Sequence, residues 1–130
     1  MIEGIQSTTA GLLSAALSAV SLRQQLIATN IANVDVDGYV PQTVNFDAYM
    51  RNARMELQDR GAVDESTLQE MVSAPPPIAL ETAANGMPAK VQLDMQVAAM
   101  AENTLRYQAL LKGLSHHFSL MSLAVNDGKR

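Results

Sequence analysis

The 130-residue chain contains no cysteine and no tryptophan, and only 4% of its residues are aromatic. Without cysteine, disulfides and thiolate metal sites are excluded, and either redox compartment is compatible. Charge is scarce too, at 17% against roughly 25% in an average soluble protein. There is no basic stripe. The formal net charge is −4, and between Val34 and Gln92 nine acids stand against four bases, which argues against a nucleic-acid partner. A chain with so few rings and charges has trouble covering itself as a lone globule, and predicts burial against copies or partners.

No catalytic constellation can be assembled. There is no Ser-His-Asp arrangement, phosphate loop or metal-ligand cluster, so neither an enzyme nor a cofactor is expected. His116 and His117 are adjacent, and neighbouring helical side chains point about 100° apart, which does not suit one shared metal. The eight methionines fit an adaptable packing surface better than a cofactor box.

The uncharged run from Gly4 to Leu22 lacks the basic region of a secretory signal, and its serines and threonines make it too polar for a good membrane span. It is expected to belong to the mature protein, with no cleaved signal peptide. Heptad steps through Ile5, Leu12, Ala15, Ala19, Leu22 and Leu26 mark an N-terminal helix ending near Ala32. A second stripe through Leu13, Ala16, Val20, Ile27 and Ile31 predicts burial on more than one side. The C-terminal pattern is stronger. Leu93, Val97, Met100, Tyr107, Leu111, Leu114, Phe118, Met121 and Val125 alternate steps of four and three around Thr104. Asp94 reads as its cap, and Asn126 and Gly128 as its stop. Sustained heptads of that length predict a coiled-coil seam.

The middle breaks the pattern. Phe46, Met50, Ala53 and Leu57 mark a short helix started by Asn45 and closed by Gly61. Ser66 and Gln69 suit a capping box. "APPPIAL" reads as extended, "ANGMP" as a turn and "KVQL" as a short strand. With few large apolar residues, this acidic segment is expected to be partly ordered. The predicted class is mainly α: long N- and C-terminal helices paired as an antiparallel coiled coil, with a small irregular middle. The parts fall at residues 1–33, 34–92 and 93–130.

"NVDVDGYVP" imitates a calcium loop, with Asn33, Asp35 and Asp37 at its first ligand positions. The place of the bidentate Glu holds Val44, however, and Pro41 stands at position nine. The stretch reads better as a helix terminator. From the residues alone, a self-assembling helical protein competes with a soluble helical hairpin such as an adaptor or export chaperone, and with a calcium-responsive module.

The stretch "LRQQLIATNIANVDVDGY", carrying Asn30, Ile31, Ala32, Asn33, Gly38 and Tyr39, resembles the N-terminal signature of bacterial flagellar rod, hook and hook-associated proteins. "QLDMQVAAMAENTLRYQALLKGLSHHFSLMSLAVNDGKR" resembles the C-terminal helix of the proximal rod members. One departure is visible: the family pattern Asp-Thr-Pro-Gly-Tyr is here "DVDGY", and losing that proline predicts a less rigid turn. The resemblance implies a structural subunit whose terminal helices assemble with copies of itself and with other rod proteins into an axial tube that transmits torque. It also implies export in unfolded form by the flagellar type III apparatus, folding on assembly, and a place in the basal-body rod on the periplasmic side of the inner membrane. A base-ring adaptor of the FliE type is an expected neighbour. Neither a nucleic acid nor a small-molecule substrate is implied.

Overall fold

Ala and Leu are the commonest of the first thirty-two residues, with no proline to interrupt them, and both are strong helix formers. The computed structural model describes residues 2–128, with side chains from residue 8 onward. Helix α1 spans Ile2–Ala32, about 46 Å at 1.5 Å per residue. It stops because Asn33 turns its own amides on the helix end. Its backbone N–H donates to Thr29 O at 3.1 Å, and its Nδ2 to the same carbonyl at 2.8 Å.

A turn follows in which Val36 N–H donates to Asn33 O and Tyr39 N–H to Val36 O. Gly38 sits there at φ 77°, the left-handed region that glycine enters without steric cost. The chain then forms β1 (Gln42–Val44), antiparallel to β2 (Ile78–Leu80), with Gln42 opposite Leu80 and Val44 opposite Ile78. Asn45 N–H to Pro77 O and Glu81 N–H to Pro41 O extend the pairing at either end.

Helix α2 (Phe46–Arg60) begins and ends where its local signals place it. Asn45 Oδ1 accepts from Ala48 N–H, and Gly61 closes the helix in the left-handed conformation with its N–H on Leu57 O. Helix α3 (Glu65–Ser73) does not start on the Ser66 capping box. Asp64 holds the N-cap place, without a side-chain cap bond, because Glu56 Oε2 accepts its N–H at 2.8 Å and fixes the entry earlier. "KVQL" forms no strand: Ala89 N–H bonds Glu81 O, and the chain then enters α4 without a ladder partner.

Helix α4 runs Leu93–Gly128. Asp94 lies inside its first turn, where its carboxylate meets the positive end of the dipole, and Asn126 does not end the helix. The predicted pairing is present. Asn30 meets Gln96, Val20 meets Asn103, and Leu13 lies against Gly113. As numbers fall along α1 they rise along α4, so the two helices run antiparallel. The fold is mainly α, as the sequence predicts.

The middle segment is docked on α1. Ala15 of α1 is buried with Ala53, Val63 and Met71, flanked by Leu12, Tyr49, Met50 and Leu68. Further along α1, Ala19 and Leu26 are buried with Val44, flanked by Leu22, Phe46 and Tyr49. Tyr49 ties α2 to the end of α3 by donating its hydroxyl to Met71 O at 2.7 Å, and burial raises the pKa of that phenol.

Candidate functional site

Asn30 is fully buried, with 0% of its surface exposed. An isolated amide there would be costly, yet every one of its polar valences is used. Oδ1 accepts from Tyr39 Oη at 2.9 Å and from Gln42 N–H at 2.9 Å. Nδ2 donates to Gln42 O at 2.9 Å and to Gln96 Oε1 at 3.2 Å. One side chain thus joins the end of α1, the turn, β1 and the start of α4. Within the signature stretch, Asn30 and Tyr39 are partners, Gly38 supplies the bend between them, and Asn33 caps the helix. Ile31 is half-buried and Ala32 exposed. These bonds hold the turn to the end of α1.

A second buried amide lies farther along. Asn103, 1% exposed, donates from Nδ2 to Val20 O at 2.9 Å and to Gln24 Oε1 at 2.7 Å. Its Oδ1 is buried without a partner. Gln96 and Asn103 are seven residues apart, and the same row continues through half-buried Leu110 and His117. This row faces α1.

The apolar residues of α4 occupy a neighbouring row. Met100, Leu114 and Met121 are half-buried at its edge, whereas Leu93, Val97, Tyr107, Leu111, Phe118 and Val125 are exposed, Phe118 at 53%. On α1 the residues of the first stripe, Leu12, Ala15, Ala19, Leu22 and Leu26, face the middle segment of the same chain. Val20 and Ile27 of the second stripe are buried as well, and Leu13 of that stripe touches α4. Ile5 falls within α1, but its side chain lies outside those described. The N-terminal stripe is therefore largely covered within the chain, and the C-terminal one is largely uncovered.

Sequence reading passes over Gln96 and Gln42, whose roles depend on pairing far along the chain. The signal for Gln96 and Asn103 was a polar residue recurring at seven in an otherwise apolar helix.

Comparison with known proteins gives the same answer from two directions. The family described as "Flagella basal body rod protein" matches residues 13–39, which run from the middle of α1 through the turn to Tyr39. Over 121 residues the chain is 28% identical to the flagellar basal body rod protein FlgB of Bacillus subtilis (strain 168), covering 90% of this chain and 92% of that protein. It is 26% identical over 123 residues to the protein of the same name from Escherichia coli (strain K12), covering 87% and 89%. The chain is thus similar to the flagellar basal body rod proteins, of the FlgB type. Those relatives are named as rod proteins of the flagellar basal body. Among the described residues, no helix is long and apolar enough to cross a membrane.

Proposed function

We propose that this FlgB-type chain builds the proximal rod through its terminal helices, with residues 1–33 and 93–130 as assembly segments and residues 34–92 as the intervening variable part. The uncovered apolar row of α4 carries this reading. Leu93, Val97, Tyr107, Leu111, Phe118 and Val125 are exposed along one long helix, and a contiguous apolar surface of that kind marks an interaction site. Burying each large side chain is worth roughly 1.5–3 kcal/mol before entropy is subtracted. A face that differs from the surface it meets gives a contact that continues helically rather than closing. Met100, Leu114 and Met121 would then lie where the contact within the chain and the contact between subunits join. The N-terminal stripe from Leu12 to Leu26 supports the same assembly indirectly, by locking the middle segment onto α1.

In this reading the chain travels through the flagellar type III channel before it folds, and it stands on the periplasmic side of the inner membrane beside other rod proteins and a FliE-type base-ring adaptor. Torque passes from motor to hook because many such helix contacts act together.

Leu111→Asp and Phe118→Asp test the proposal in cells that depend on this chain for motility. Both side chains are exposed, so either variant should keep the melting behaviour and export of the natural chain, yet leave cells without rods. Rods of normal length and number in either variant would overturn it.

A further inference from the structure

Between α1, the β2 end of the strand pair and the start of α4 lies an open groove of about 680 Å3. Arg23 and Lys90 both line it. Neither has an ion-pair partner among the described residues. Glu81 also reaches the groove, and its carboxylate accepts from Gln96 Nε2 at 3.5 Å. The same lining carries two exposed apolar side chains, Leu80 at 59% and Met95 at 62%, beside Thr43, Thr82 and Gln92. Two cations against one carboxylate leave an excess of positive charge in a groove that also exposes apolar side chains.

The turn after α1 presents the complementary pattern. Asp35, Val36 and Asp37 are consecutive and all exposed, Val36 at 53%. Among the described residues, no ion pair uses either aspartate. The turn is also held in shape by Val36 N–H on Asn33 O, Tyr39 N–H on Val36 O and the Tyr39 hydroxyl on Asn30. A preorganised loop loses little freedom on docking.

We propose that the Asp35-Val36-Asp37 turn of one copy seats in the Arg23–Lys90 groove of a second copy, carboxylates on the two cations and Val36 on Leu80 and Met95. The proposal rests on the rod reading and names a partner surface beyond the α4 row. Turn and groove are different surfaces of one chain, so each copy offers one of each. The contact is heterologous and propagates into an open helix instead of a closed dimer. Charge complementarity also sets the register, since a displaced neighbour would take the aspartates away from Arg23 and Lys90.

The absence of cysteine allows a clean test. Val36→Cys and Leu80→Cys are introduced together, leaving all four charges in place, and hook–basal bodies isolated from those cells are treated with a short bifunctional thiol reagent. The expected result is a ladder of dimers, trimers and longer species of this chain, with only monomer from either single variant. Adding Asp35→Lys and Asp37→Lys should lower the cross-linked fraction at least tenfold. Monomer alone from particles that contain the doubly substituted chain overturns the contact and leaves the rod reading standing, as does cross-linking to a different protein in place of the ladder. Absence of the natural chain from intact particles overturns the rod reading itself. Swimming gives a second measurement. Asp35→Lys/Asp37→Lys and Arg23→Glu/Lys90→Glu should each lose motility, and combining all four should restore it. A combination no better than its parents overturns the contact.

Discussion

The hydroxyl of Tyr39 donates to Oδ1 of Asn30 across 2.9 Å, so a residue beyond the turn is fastened to one buried near the end of α1. That bond gives physical content to the spacing of the signature stretch. Nine positions separate the two residues, enough for the helix to end, for the glycine turn to reverse the chain, and for the phenol to come back onto the helix. With Gln42 and Gln96 on the same amide, the arrangement fixes where α4 begins relative to where α1 stops.

Asn30→Ala should therefore be among the most damaging single changes in the chain. It leaves the Gln42 amide and carbonyl and the Tyr39 hydroxyl without their partner, and each buried group left unpaired costs about 1–3 kcal/mol. A loss of about 3–4 kcal/mol is expected, and Tyr39→Phe, which removes one bond, should lose about 1 kcal/mol. Urea melts of the purified chain followed by helix signal check both. In the double variant the losses should fall short of additivity by about 1 kcal/mol, since the bond can be lost only once. Strict additivity would show that the two residues act separately.

Gly38→Ala isolates backbone conformation from packing. Nothing lies within 4 Å of the position its Cβ would take, so no clash accompanies the change, and only the φ of 77° opposes it. A cost of about 1 kcal/mol is expected, with Gly38→Asn costing less because asparagine tolerates this region. Equal melting of the alanine variant and the natural chain would mean that the turn relaxes freely.

Elements set by local chemistry were legible in the sequence, and those set by distant partners were not. Asn45 and Gly61 bracket α2, and the end of α1 near Ala32 follows from the asparagines, the glycine and Pro41, all acting within a few residues. The strand pair needs Gln42–Val44 to find Ile78–Leu80 across the whole of α2 and α3, and no three-residue segment declares such a partner. "KVQL" alternates as well as Ile78–Leu80 does, yet it forms no ladder. On α4 the apolar row was legible as a face, but apolarity does not say what covers it. The row turned to α1 contains Gln96 and Asn103, because an asparagine reaching the Val20 carbonyl is a contact that hydropathy counts as polar. The antiparallel pairing and the Asn30–Tyr39 motif were readable, the latter as a pattern whose bonds only the fold supplies.

Tyr49 should make stability fall at alkaline pH. Burial raises its pKa above the ordinary 10.0, so the fold favours the neutral phenol that donates to Met71 O. The contribution is fully present below the unfolded value of about 10 and is lost as pH rises through the higher folded value. Tyr49→Phe lacks both the hydrogen bond and the titration. Its deficit against the natural chain should be about 1 kcal/mol at neutral pH and should shrink above pH of about 10. Urea melts at pH values on both sides of 10 decide it. A deficit that holds constant across that range would show that the phenol ionises as easily folded as unfolded.

Asn103 poses the opposite problem to Asn30. Both amides are buried, but the Oδ1 of Asn103 has no partner, and such a group costs about 1–3 kcal/mol. Asn103→Leu removes that penalty and adds apolar burial between α1 and α4. What it gives up is modest, because Val20 O sits within α1 and Gln24 is half-buried and can turn its amide to water. The two effects should nearly cancel, leaving stability within about 1 kcal/mol of the natural chain, in contrast to the several lost with Asn30→Ala. Parallel urea melts of the two variants make the comparison. A loss at Asn103→Leu as large as that at Asn30→Ala would mean that the bonds to Val20 and Gln24 hold the helix pair together and outweigh the unpaired carbonyl.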